Sequence, residues 1–229
     1  MEYLIKEINL YGFFIVLSFI IGFIFISINL VSIKMPKSMI TSLYLLNIVC
    51  SIYFAKLLTI ITSNDKSINI VNAGLSSLGG MFGFLLSICI FVKIYQKNTK
   101  FLIEIYALTL PLIYGVSKLG CHFAGCCEGI PYSGIFHTIS KLRNDNIELF
   151  PIQLLETMVF LLIFIISIIL YYKKINLNYL GLELTICSIS KFLLDYLRDF
   201  HIGKIITTNQ IICIIICIIG LIIIRKNKN

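Results

Sequence analysis

Isoleucine, leucine and phenylalanine run along the chain in long blocks separated by short polar intervals. Seven blocks approach the roughly 20 residues that a helix needs to cross a bilayer. They fall at about 10 to 33, 38 to 62, 73 to 93, 101 to 118, 151 to 172, 179 to 197 and 205 to 224. The pattern predicts an all-α polytopic membrane protein with seven transmembrane helices. Gly79 and Gly80 interrupt the third block, Pro111 the fourth, and Lys191 and Asp195 the sixth. Residues 1–229 are expected to form a single integral membrane domain, with the longest polar interval, 119–150, as an outward-facing re-entrant region.

Composition agrees with this pattern. Of 229 residues, 59% are hydrophobic and 13% charged, too little polar surface to cover an ordinary water-soluble core. The amino-terminal M-E-Y-L-I-K-E-I-N is partly acidic, and no small-residue cleavage site follows the first block, so that block is expected to be retained. The placement of the net charge of +8 predicts orientation. With seven spans, Lys34, Lys37, Lys93, Lys97, Lys100, Lys173, Lys174, Arg225, Lys226 and Lys228 share one side, and Lys6, Lys66, Lys141, Arg143, Arg198 and Lys204 the other. The richer side is cytoplasmic by the positive-inside rule, which puts the amino terminus outside and the carboxyl terminus inside. Because the basic residues follow topology and form no stripe, no nucleic-acid partner is expected.

The reactive side chains are concentrated. K-L-G-C-H-F-A-G-C-C-E-G-I-P, residues 118 to 131, holds Lys118, three cysteines, His122 and Glu128 among Gly120, Gly125 and Gly129. All three histidines, His122, His137 and His201, lie in the intervals after blocks four and six. Ionisable residues continue into the neighbouring blocks as Glu156, Lys191 and Asp195. Lys191, Asp195 and Arg198 share a helical face. Charges inside a bilayer are costly and ordinarily pair or face a cavity, so either a structural ion-pair row or a water-filled pocket accounts for them. Gly74, Gly79, Gly80 and Gly83 indicate close helix packing more readily than ligand contact. A loop at membrane depth is tolerated where protein buries it or where it lines a cavity, and a re-entrant turn fits Gly120, Gly125 and Gly129.

These residues resemble the signature of the prolipoprotein diacylglyceryl transferases, roughly G-R-x-G-N-F-x-N-G-E-x-x-G. S-K-L-G-C-H-F-A-G-C-C-E-G matches it at Gly120, Gly125 and Gly129, with Lys118 in place of arginine. Three further segments follow in the family's order. S-S-L-G-G-M-F-G is similar to its H-G-G-x-x-G, F-P-I-Q-L-L-E to its H-P-x-Q-L-x-E, and K-F-L-L-D-Y-L-R to its R-F-x-x-E-x-x-R. Gln210 resembles the glutamine that opens the family's last span. The chain departs at Leu78, Cys121 and Cys126, where the family has histidine, asparagine and glutamate.

The resemblance implies transfer of a diacylglyceryl group from phosphatidylglycerol to the lipobox cysteine of a prolipoprotein signal peptide, in the bacterial plasma membrane. Arg198 is the best phosphate ligand because guanidinium binds phosphate oxygens as a fixed fork, with Lys118 adding a point charge. His122 has the intrinsic pKa of a general base and Glu128 is the second choice; both come from the residues and not from the family pattern. Asp195 and Glu156 are expected to orient the cations and the loop, and with Lys191 they are counted in the substrate-binding set. Gln153 and Gln210 either bind the glycerol head group or cap backbone, and Gly79, Gly80, Gly120, Gly125 and Gly129 complete the substrate-binding set.

Two other readings stay open at this level. One is a non-catalytic lipid- or partner-binding protein of the same fold. The other is a thiol or metal protein using Cys121, His122, Cys126 and Cys127, although C-H-x-x-x-C-C lacks the paired C-x-x-C spacing of strong zinc motifs. No cofactor and no metal ion is expected, with Cys121 and Cys126 read as small side chains that permit a tight turn.

Overall fold

The computed structural model of the chain describes residues 2–63, 69–140 and 146–226, without the side chains of residues 2–9. Lys66, Lys141, Arg143 and Lys228, counted above, lie outside the described residues, as does the side chain of Lys6. Seven α-helices dominate: α1 (Glu2–Ser32), α2 (Lys37–Thr62), α3 (Ser77–Tyr95), α4 (Thr99–Phe123), α5 (Ile152–Tyr172), α6 (Tyr179–Asp195) and α7 (Thr208–Lys226). A two-stranded antiparallel ribbon, β1 (Thr138–Ile139) with β2 (Glu148–Leu149), and a short 3₁₀ turn at Asp199–His201 complete the described elements.

All seven predicted helices are present, and six are long and apolar enough to cross a membrane. The exception is α6, whose 17 residues give about 25 Å at the α-helical rise, short of a hydrocarbon core of about 30 Å. Its burial explains its composition. Tyr179, Gly181, Glu183, Cys187, Ser188, Lys191 and Asp195 are all enclosed, so the helix carries polar groups that protein covers.

The fourth helix differs from its predicted block. It passes Pro111 and continues five residues beyond Lys118, so Gly120, Cys121 and His122 are helical and the connection starts at Ala124. Gly120 fits inside the helix because α1 lies against it: a Cβ there would come 2.9 Å from Phe14 Cβ and 3.1 Å from the Tyr11 carbonyl oxygen. The helix stops at Gly125, whose φ of +66° favours a residue without a Cβ. Its amide donates to the His122 carbonyl at 3.2 Å, and the Cys126 amide donates to the Cys121 carbonyl at 3.1 Å.

Two compact units make up the chain, Phe23–Leu110 as one and Met1–Gly22 with Pro111–Asn229 as the other. Within the first, α2 and α3 pack backbone to backbone. Gly79 and Gly83 lie against the carbonyls of Phe54 and Cys50, positions that any Cβ would occupy. Small residues of this kind let helices approach closely where lipid supplies no hydrophobic drive. Asn47 crosses the interface and donates to Ser87 Oγ at 2.9 Å. Lys56, the isolated lysine of α2, donates to the carbonyls of Ile70 and Val71 at 2.9 and 3.0 Å. In the second unit, α6 and α7 repeat the device through Gly181 and Gly220, each of whose Cβ positions would come within 2.9 Å of the other's carbonyl oxygen.

Candidate active site

The site is assembled in the second unit by α4, α5 and α6. On α5, Gln153, Glu156, Thr157 and Phe160 fall on one buried helical face. Glu156 is fully buried, and Lys118 and Arg198 are 1% and 4% exposed. Its Oε1 accepts from Lys191 Nζ at 2.6 Å and from the Tyr114 hydroxyl at 3.1 Å. Its Oε2 accepts from Arg198 Nη2 at 2.6 Å and lies 3.3 Å from Lys118 Nζ. A single carboxylate therefore gathers cations from α4, α6 and the segment after α6. Asp195 adds a looser second contact, its Oδ1 3.6 Å from Lys191 Nζ and 3.7 Å from Arg198 Nε.

The cluster does not balance. Lys118, Lys191 and Arg198 carry three positive charges against the two carboxylates of Glu156 and Asp195, an excess of one. Arg198 Nε also has no hydrogen-bond partner among the described residues. Buried charge is strongly unfavourable unless paired, so this arrangement favours an anion at its edge. Tyr114 supports it from within, its ring 4.9 Å from Lys118 Nζ and 4.2 Å from the Phe160 ring.

Backbone pairing ties the quoted stretch to this cluster. Gly129 forms an antiparallel bridge with Arg198, and the Ile130 amide donates to the Leu197 carbonyl at 3.1 Å. The close approach requires glycine, because a Cβ at 129 would overlap the Phe150 carbonyl oxygen. The Phe150 and Tyr132 amides then donate to Ile130 and Glu148 carbonyls at 3.0 and 2.9 Å, carrying the pairing toward β1 and β2. Above it lies a cavity of about 510 Å³, whose lining includes His122, Gly125, Glu128, Gly129, Ser140 and Gln153. Glu128 Oε1 accepts from Ser140 Oγ at 2.7 Å.

The two glutamines are engaged with backbone. Gln153 Nε2 donates to the Cys126 carbonyl at 2.8 Å. Gln210 Oε1 accepts from the Thr207 amide at 3.0 Å and lies 3.0 Å from His201 Nε2, while its Nε2 donates to the Phe192 carbonyl at 3.3 Å. Gln210 thereby fixes the start of α7 beneath Asp195, whose Oδ2 accepts from Thr207 Oγ1 at 2.6 Å.

Lys118, Glu156, Lys191, Asp195 and Arg198 thus meet at one point, and His122, Glu128, Gly125, Gly129 and Gln153 line one cavity. Gly120 holds α4 on α1. Gly79 and Gly80 belong to the other unit, where Gly79 contacts α2 directly and Gly80 lies 3.8 Å from Ala55 Cβ by its Cβ position.

Comparison with known proteins decides the family. The model for prolipoprotein diacylglyceryl transferase matches residues 2–225. The chain belongs to that family. Among curated relatives, the phosphatidylglycerol–prolipoprotein diacylglyceryl transferase of Clostridium tetani is 24% identical over 176 residues, covering 73% of this chain and 70% of its own. The second such enzyme of Clostridium perfringens is 28% identical over 144 residues, 58% of this chain and 55% of the relative. The Campylobacter jejuni enzyme (serotype O:23/36, strain 81-176) is 28% identical over 164 residues, 66% and 56% respectively. The chain thus spans a little over half the length of the latter two.

Sequence reasoning missed Tyr114 and Thr207, which hold Glu156 and Asp195. Tyr114 lies four residues before Lys118, one turn away on the same face of α4, and that spacing was the available signal. Cys127 entered the sequence reading only within the alternative thiol or metal site. Its backbone is left-handed, with φ +59°.

Proposed function

We propose that this protein transfers the diacylglyceryl group of phosphatidylglycerol to the lipobox cysteine thiol of a prolipoprotein at the outer face of the bacterial plasma membrane. The supporting observation is the buried cation set with one charge in excess, paired through Gly129 to the wall of the neighbouring cavity. The phosphate of the lipid takes up that excess. Arg198 and Lys118 stabilise the charge that develops as the bond between the glyceryl carbon and the phosphate oxygen breaks, and their fixed positions make this stabilisation effective. Glu156, with Asp195 and Lys191, orients the two phosphate ligands.

The acceptor thiol enters the cavity, where His122 takes its proton; Glu128, on the same wall, is the second acceptor. The attacking sulfur belongs to the substrate, so the protein's part is to position, to neutralise and to accept a proton. The lipid reaches the site from the bilayer and the peptide from the outer interface, with the amino terminus outside and the carboxyl terminus in the cytoplasm, in accord with the distribution of lysine and arginine.

The direct test is transfer to a lipobox peptide in membranes containing phosphatidylglycerol, together with complementation of a strain depleted of its own diacylglyceryl transferase. Growth and modified peptide are expected. A well-expressed protein that gives neither would refute the reading.

A further inference from the structure

Three thiols meet where α4 ends. The Sγ atoms of Cys121, Cys126 and Cys127 all lie within 4.8 Å of one another, although the sequence spacing shows no paired motif. The helix terminus creates the cluster. Cys121 sits in the last turns of α4, the Cys126 amide folds back onto the Cys121 carbonyl, and Cys127 occupies the left-handed region with φ +59°. A cysteine is held in that backbone conformation only when its surroundings enforce it. Here it completes the triangle of sulfurs.

The spacing suits a soft cation. Zinc binds thiolate sulfur at about 2.3 Å, so tetrahedral ligands stand about 3.8 Å apart, close to the present geometry. Zinc sites with four protein ligands are structural, whereas three ligands with an open position characterise catalytic sites. Cys126 and Cys127 are partly exposed, and Gly125 and Gln153, neighbour and hydrogen-bond partner of Cys126, belong to the wall of the adjoining cavity.

We propose that Cys121, Cys126 and Cys127 form a three-thiolate zinc site whose fourth position takes the thiol of the acceptor peptide. The proposal rests on the transferase reading above. A thiol that coordinates zinc is deprotonated, and its proton passes to the acceptor already named. The bound sulfur attacks the glyceryl carbon, forming the C–S bond. The C–O bond to phosphate breaks and its electron pair leaves with glycerol phosphate; zinc is neither oxidised nor reduced. Two of the three thiols, Cys121 and Cys126, stand where the chain departs from the family signature.

The test uses the full chain in detergent micelles, reduced, stripped of metal and reloaded with zinc or cobalt(II). One zinc per chain is expected, with affinity at least ~10-fold lower in Cys127→Ser and in Cys126→Ser. Because either variant can misfold, the unaltered protein supplies two further readouts. Zinc should protect the three thiols from alkylation, and the thiolate-to-cobalt absorption of the cobalt form should shift on adding a lipobox peptide but not its Cys→Ser analogue. Zinc absent from the reloaded protein, equal alkylation with and without zinc, or a cobalt spectrum unmoved by the peptide overturns the proposal. Full transfer by metal-stripped protein overturns it too and leaves the transferase reading intact. A cobalt shift with no transfer by the zinc form supports the site while removing that reading.

Discussion

The α2–α3 pair and the α4–α5–α6 cluster solve the same problem of joining helices without water to drive them together, and they do so in opposite ways. In α2–α3, glycines bring the backbones into contact and neutral hydrogen bonds, Asn47 to Ser87 among them, span the interface. In the cluster, three cations from α4, α6 and the segment after α6 meet around Glu156 of α5, with Asp195 at the edge. Glycine packing secures helix contact at little electrostatic cost. Burying ions costs more than apolar packing would, so the cluster contributes little to stability for its cost and is the part of the chain on which the proposed transfer rests.

Substitutions should separate the two regions. The largest effect is expected for Arg198→Ala, which removes the closest donor from Glu156 Oε2. Glu156 keeps Lys191, Tyr114 and Lys118, so thermal unfolding in detergent should register the loss of one charge-assisted hydrogen bond, about 1.5–3 kcal/mol, while transfer to a lipobox peptide should vanish with the protein still in the membrane. Unchanged transfer would remove Arg198 from the mechanism. Next is His122→Ala, for which kcat should fall about 100-fold, the scale of a lost general base, with the unfolding temperature little altered. Full rate in that variant would assign the proton to Glu128, and Glu128→Gln would then show the loss.

Smaller effects belong to the glycine-packed pair. Gly83→Leu drives a side chain into the Cys50 carbonyl and should destabilise by about 1–3 kcal/mol, with the rate per folded molecule unchanged in a transfer assay corrected for folded fraction. A drop in that rate would mean that α2–α3 is more than packing. Asn47→Leu should be the mildest, about 0.6 kcal/mol, typical of one hydrogen bond between membrane helices; a loss of several times that in unfolding measurements would give the neutral bond a larger part in α2–α3.

Much of this was legible in the residues. Long apolar blocks announce helices because the bilayer leaves few alternatives to hydrogen-bonded helix, and all seven appeared. The i, i+4 spacing of Lys191 and Asp195 placed those two on one helical face, and the cost of charge in a membrane foretold partners; Arg198, read as the third residue of that face, lies past the end of α6 in extended backbone and is held by the bridge to Gly129. What remained hidden depended on where a helix stops. Reading α4 as ending at Lys118 made 119–150 wholly a loop, whereas the helix persists to Phe123 because glycine at 120 is accommodated against α1 and the first left-handed glycine comes at 125. That shift of five residues decides which side chains face inward. It converts C-H-x-x-x-C-C from an unpaired string into three converging sulfurs. The roles of Gln153 and Gln210 were open for a similar reason, since a backbone acceptor has no signature in sequence.

The bridge between Gly129 and Arg198 also limits how such a chain can change its length. Lengthening the hairpin between β1 and β2 leaves the bridge and the guanidinium where they are. One residue added between Cys127 and Gly129 would slip the register, and with it draw the arginine away from its carboxylate. Insertions in working homologues should therefore gather between β1 and β2 and spare residues 127 to 129.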